Sequence, residues 1–456
     1  MPTNFNQLFV KNKLTNNQTS IRVDTTNTTI FEQLIFQDCK FYKNQIEDYS
    51  NSSNKVHIDI LQLTNHNEKT EIIFSDCEFK GKTIFSGILN YTFIFNNCYI
   101  ENIFFDGIVI NNHPSYQDFK SSYYFNGVKQ LDNLKIKKCN FGGKFYINDQ
   151  KVSDKEIKID SIKIEESTFN ENFKLHRTRV EKIKIDGIDF EKNADFFRST
   201  FINGFEPRDK EDGDNIVISG TNFKALTIFE NCIFDKKFIM KYVTFNGLAQ
   251  FRNAYFKNGL DLDKTNSESL MNFYDIHGLH NVTKTSRETY RIIKYNLEKV
   301  GDIISSNKYY SKELERKRFD LDEEQKKLNK HNNKNSKNIK RKMHDNRRDR
   351  IVFNIHWHSS KFGTDWITPI YLIIALGFST FILLYIPQIC ELEFKSTLIG
   401  NVFYILEGID KAFSYMYILN KDEYFQEHSF IFLMNKIILG YLYYQFLTAV
   451  RKDTRK

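Results

Sequence analysis

Hydrophobic and polar positions recur along this chain with a period near eleven. An apolar residue, two polar ones, a small residue, any residue and then Phe follow one another as FQDCKF (36–41), FSDCEF (74–79), FNNCYI (95–100), IKKCNF (136–141) and IEESTF (164–169). The pattern continues as IDGIDF (185–190), FFRSTF (196–201), ISGTNF (218–223), FENCIF (229–234), MKYVTF (240–245) and FRNAYF (251–256). From Ile188 onward the small position falls at intervals of 11, 22, 11, 11 and 11. Longer intervals coincide with polar stretches at 49–70, 110–122 and 202–215, which read as insertions.

A unit this short cannot bury its own apolar face, so the period predicts stacked coils sharing one core, with about 21–22 residues, or two units, per coil. The small residue and the Phe are two apart and point to one side of a strand. The small side chain leaves room at a corner, while the Phe fills the interior and stacks on the coil below. Cys39, Phe41, Cys77, Phe79, Cys139, Phe141, Cys232, Phe234, Phe245 and Phe256 are the expected core. The cysteines act there as small hydrophobes rather than as reactive or metal-binding groups. Roughly eight coils at about 4.8 Å each make a rod of about 40 Å.

After Ser267 the period changes. Tyr290, Ile293, Leu297, Val300 and Ile304 have helical spacing within 286–319, with Thr285 or Ser286 as cap and Glu288 in the first turn. This helix is expected to cover the open end of the stack. Residues 366–386 and 430–450 are apolar stretches long enough to cross a bilayer. The second carries Asn435, Lys436 and Gln445. Between them, 399–419 is too apolar for a simple linker. It reads as an amphipathic helix at the outer interface or as a re-entrant pore segment.

Charge adds one feature. The net formal charge is +8, yet 31–265 holds 32 Lys/Arg against 34 Asp/Glu. The surplus lies in 326–350, with eleven Lys/Arg and two Asp. Such a run is a solvated linker or, before an apolar span, a binder of anionic headgroups, with Lys340, Arg341, Lys342, Arg347, Arg348 and Arg350 as the membrane-surface residues. The near-neutral stack argues against nucleic acid as a partner. Basic residues flank the outer end of both spans, and the loop 387–429 holds three Lys against seven acids. Both termini are therefore expected in the cytoplasm. The N-terminus lacks a secretory leader, so thiols there should be reduced.

VTFNG, AQFRN and AYFKN within 243–262 resemble the pentapeptide-repeat family. That resemblance implies a right-handed quadrilateral β-helix, and hence a mainly β chain with a helical connector and two transmembrane helices. Arg287, Tyr290, Arg291, Lys294, Gly301, Asp302 and Glu313, then Asp349-Arg350 and SSKFGTDWITPI (359–370), resemble membrane-anchored bacterial members. The implied layout is a lead-in or cap at 1–30, the β-helix at 31–265, the connector at 266–325, a basic juxtamembrane arm at 326–361 and the hairpin at 362–456.

No G-x-S-x-G, Walker, H-E-x-x-H or C-x-x-C motif occurs, and neither an enzyme activity nor a cofactor is expected. His356 and His358 flank Trp357 ahead of a span and read as interfacial. Two readings remain. One is a homo-oligomeric pore or channel-like effector of the bacterial plasma membrane, controlled through the cytosolic β-helix. Glu407 and Asp410 are its candidate cation-attracting ring, and Asn435, Lys436 and Gln445 are polar positions in the membrane. Bacterial hairpins fused to sensing domains can depolarise the cell, as in antiviral defence, which extends this reading by analogy. The other is a tethered scaffold that recruits a cytosolic protein. The two spans and re-entrant stretch are similar to two-transmembrane channels, but no TVGYG-like filter is present.

Overall fold

The computed structural model describes residues 7–11, 14–15, 33–37, 40–41, 55–58, 71–85, 92–106, 109–110, 113–114, 117–119, 121–149, 156–205, 214–330, 337–389, 408–419 and 428–454. The chain forms two compact units, Met1–Ile292 and Ile293–Lys456.

The first unit is mainly β, and among the described residues its strands run parallel except for one small antiparallel pair, Val109–Ile110 with His113–Pro114. Hydrogen bonds group the parallel strands into sheets of eleven and seventeen strands. The eleven-stranded sheet shows the winding directly. Tyr123 pairs with Phe145, Phe145 with Phe173, Phe173 with Ala194, Ala194 with Thr227, Thr227 with Ala249 and Ala249 with Met271. The chain thus returns to this sheet every 21 or 22 residues, or later where extra chain intervenes, as at Gln33↔Glu71 and Ala194↔Thr227. Those two long intervals contain the polar stretches at 49–70 and 202–215.

The winding also extends beyond the expected bounds. Gln7–Lys11 pairs with Gln33–Gln37, so the assigned lead-in already belongs to the ladder. At the other end Met271–Asn272 is the last strand. Eleven strands stack in this sheet instead of roughly eight.

The repeat has a backbone cause. In ten of the motif copies, the residue just before the small position has a left-handed backbone: Asp76, Asn97, Lys138, Glu166, Gly187, Arg198, Gly220, Asn231, Tyr242 and Asn253 all have φ between 46° and 69°. Asp, Asn and Gly reach this region at least cost. Some corners lie within a strand: Ile157–Phe169 and Thr178–Phe190 are each thirteen residues long and carry Glu166 and Gly187, whereas Asp76 and Asn97 each separate two strands.

Inside, the Phe residues form columns. Phe141, Phe169, Phe190, Phe223 and Phe245 stack with centroids 4.9, 5.3, 5.0 and 5.0 Å apart. Phe196, Phe229, Phe251 and Phe273 make a second column at 4.7, 5.3 and 5.2 Å. Each pair adds about 0.5–1.5 kcal/mol beyond its buried area. Cys77, Phe79, Cys139, Phe141, Cys232, Phe234, Phe245 and Phe256 are all buried, as expected. Cys39 and the Phe41 side chain lie outside the described residues.

The small residues are more than space-savers. Ser199 Oγ donates to Leu175 O at 2.6 Å, Cys232 Sγ to Phe196 O at 2.9 Å and Cys98 Sγ to Phe74 O at 3.3 Å. Each stitches one coil to another across the corner. Burial pushes the Cys98 and Cys232 thiols well up, away from the reactive thiolate.

Helix α1 (Arg287–Lys299) closes the stack as expected. Thr285 and Thr289 hydroxyls accept from the backbone N–H groups of Leu260 and Leu262, at 3.2 and 2.8 Å. These groups belong to the last coil and would otherwise be orphaned. Ser286 caps the helix, accepting from Thr289 N at 3.1 Å. The single helix expected over 286–319 is two. Gly301, at φ 85°, ends α1, and α2 runs Ile303–Lys330 with Asp302 accepting from Ser305 N. Val300 and Ile304 sit at this break and are exposed, unlike Tyr290, Ile293 and Leu297.

In the second unit, much of the basic arm is helical: α2 reaches Lys330 and α3 spans Lys337–Ser360. The two pair through Arg350 Nε on Asp322 Oδ1 at 2.6 Å and the Arg318 guanidinium 4.8 Å over the Trp357 ring. Helices α4 (Ile367–Ile389) and α5 (Ser429–Thr454) pack together behind them.

Candidate functional site

The hairpin α4–α5 carries the candidate chemistry. Its apolar stretches, Ile367–Leu384 and Ser429–Lys452, are long and apolar enough to cross a membrane. Only 28% and 22% of them are buried. Tyr371, Phe378, Ile382, Leu383, Leu433, Ile437, Tyr444 and Leu447 point outward.

A tight elbow leads into α4. Lys361, Phe362 and Gly363 are all left-handed, with φ 46°, 59° and 77°. The cost, roughly 1–2 kcal/mol for each non-glycine residue, is met by local bonds. Ser360 Oγ accepts from Gly363 N at 3.0 Å, and Lys452 Nζ reaches Phe362 O at 3.0 Å. Asp365 then caps α4, accepting from Ile367 N and Thr368 N at 3.0 and 3.1 Å. Partial burial pushes its carboxyl up, but bonds from Lys361 and Thr368 outweigh that and hold it at about 2.

The predicted polar residues of the spans turn to partners inside the protomer. Asn435 Nδ2 donates to Thr380 Oγ1 at 2.9 Å, and both residues are buried. Gln445 Oε1 accepts from Ser360 Oγ at 2.7 Å. Lys436 Nζ donates to Tyr417 O at 2.6 Å and lies 5.3 Å from the Phe432 ring centre. Asp410 is exposed, and Glu407 lies outside the described residues.

Between the two long helices sits a short helix at 408–414. Its end is wedged deep. A Cβ on Gly377 would meet Met416 Cγ at 2.5 Å and Ala412 O at 2.9 Å, so only glycine allows this approach. Tyr443 Oη donates to Met416 O at 3.1 Å. Met416 packs with Ile373, Leu439 and Leu442, and Tyr415 with Leu384. Gly377 and Tyr443 are near the middle of α4 and α5, so the segment reaches mid-hairpin level.

Among the predicted basic residues, Lys340, Arg341, Lys342, Arg347 and Arg348 are exposed on α3. Arg350 is instead half-buried against Asp322. His356 and His358 join no metal-binding cluster among the described residues. Sequence reasoning missed Ser360, Thr380 and Gly377. Their signal is pairing with residues far along the chain, which no local pattern carries.

No family model, curated protein or solved structure matches this chain.

Proposed function

We propose that the chain is an integral protein of the bacterial plasma membrane whose cytosolic coils recruit or sense a protein partner and whose hairpin assembles as a homo-oligomer into a pore-like effector. The coils are read as a right-handed, four-sided β-helix of the pentapeptide-repeat kind, with both termini cytoplasmic. The observation that carries the pore reading is the depth of Met416. Non-helical backbone, as at Met416, is tolerated at mid-bilayer only where it is enclosed by protein or lines water. Two long helices per chain cannot enclose a channel, so several copies are required.

The test is reconstitution of the purified full chain in vesicles, with ion flux and subunit number measured. Expected are a multimer, a trigger-dependent leak, and reduced cation preference in Asp410→Lys. A monomer in detergent and tight vesicles under every trigger would end this reading.

The scaffold reading is favoured by a different observation: Asn435 and Gln445 are spent on Thr380 and Ser360 rather than facing a lumen. Replacing both spans by unrelated ones preserves function only if the hairpin is an anchor.

A further inference from the structure

The last turns of α3 carry an apolar face that neither α2 nor the hairpin covers. Arg341, Arg348, Val352 and Ile355 fall on one stripe of this helix by the 3.6-residue turn. Along that side, Lys340, Arg341, Arg347 and Arg348 are exposed, with Asp345 the one acid among them, and then Ile351, Val352 and Ile355, at 52, 63 and 52%. The opposite side is occupied by α2, through Asp322 and Arg318. The outward face therefore changes from cationic to apolar along the axis.

Past Ile355 the helix bonds to α5 well inside its apolar stretch. The Ser359 hydroxyl lies 3.0 Å from Tyr441 Oη, and Ser360 donates to Gln445. Tyr441 and Gln445 precede Lys452 by eleven and seven residues, about 16 and 10 Å along a helix. The elbow that follows returns toward the end of α5, where Lys452 Nζ reaches Phe362 O at 3.0 Å.

We infer that α3 enters the bilayer obliquely, its cationic half among anionic headgroups and Ile351, Val352 and Ile355 among the acyl chains. The boundary falls between Arg348 and Ile351. This rests on the hairpin being membrane-spanning. Basic residues gain from a negatively charged leaflet, and exposed aliphatic side chains gain from leaving water. The placement also gives Gln445 a protein partner at a depth where lipid offers none.

The chain has only two tryptophans, Trp357 and Trp366. In a W357F/W366F background of the full-length protein, V352W reports on α3 and F378W on the middle of α4. Each is reconstituted in vesicles of phosphatidylcholine and phosphatidylglycerol containing phosphatidylcholine brominated at shallow or deep acyl carbons. Expected are blue-shifted V352W emission quenched best by the shallow bromines, and F378W quenched best by the deep ones. Quenching of V352W should weaken without phosphatidylglycerol, and equal quenching would remove the anionic part of the inference. Quenched F378W with water-like, unquenched V352W overturns the inference and leaves the span reading standing. Blue-shifted but unquenched V352W overturns it too, because a protein then covers the face. If neither is quenched, the span reading itself falls.

Discussion

Gly377→Leu should expel the 408–416 segment from its seat against α4 and α5. The added Cβ would lie 2.5 Å from Met416 Cγ and 2.8 Å from Cε, contacts a flexible side chain can relieve. It would also lie 2.9 Å from Ala412 O, which is backbone and can move only with its helix. Overpacking of this kind costs about 1–3 kcal/mol. With tenfold per 1.4 kcal/mol, the ratio of seated to unseated segment should fall by roughly 5- to 150-fold. Gly440 is the internal control, since a Cβ there meets nothing within 4 Å. The assay is labelling of Met416→Cys by a membrane-impermeant maleimide in intact vesicles, with Cys390→Ser to silence the hairpin's own thiol. Labelling should be slow in the parent and with Gly440→Leu, and fast with Gly377→Leu. Equal protection in all three folded proteins would refute the packing argument.

Three further outcomes are expected. Phe223→Ala removes an inner ring of a five-ring column and should cost about 3–5 kcal/mol. Exposed Tyr242→Ala should cost under 1 kcal/mol, and amide exchange in the flanking coils separates the two. Cys232 should resist thiol reagents at pH 8 until the protein is denatured. Cys232→Ser should keep the donor to Phe196 O, whereas Cys232→Val leaves that carbonyl only its bond from Ser199 N and should cost about 1 kcal/mol, readable by thermal melting. Asp365 is held at about 2, below its ordinary value near 4. Its stabilisation of the elbow is therefore full above pH 4 and lost as pH falls through 2. Asp365→Ala should weaken the cap at neutral pH, giving faster proteolysis at 361–366, and should abolish that acid step.

The coils were legible because their cause is local. The small residue and Phe recur in the sequence as they do in space, and Asn, Asp or Gly marks most corners. Lys138, Glu166, Arg198 and Tyr242 hide the same corner, since stacking against neighbouring coils overrides their reluctance to turn left-handed. At the connector the helical spacing was right through Leu297, but Gly301 and Asp302 stop one helix and start another, which strands Val300 and Ile304 on the surface. In the hairpin, sequence showed polar residues but not where they point. Asn435 and Gln445 find Thr380 and Ser360, 55 and 85 residues away, and such pairing leaves no periodic trace.

The alternation of corners makes the length of the β unit a quantity that changes in steps. Left-handed residues Asn231, Asn253 and Asp275 follow one another at 22 residues, and Gly220 and Tyr242 do the same, each eleven residues ahead of Asn231 and Asn253. Removing 227–248 would join Leu226 to Ala249 and keep every later side chain on its own column, with the rod shorter by about 4.8 Å. Removing eleven residues would bring every later strand onto the opposite corner and set α1 on the wrong side of the final coil. The length of the stack can therefore change by whole turns and by nothing smaller.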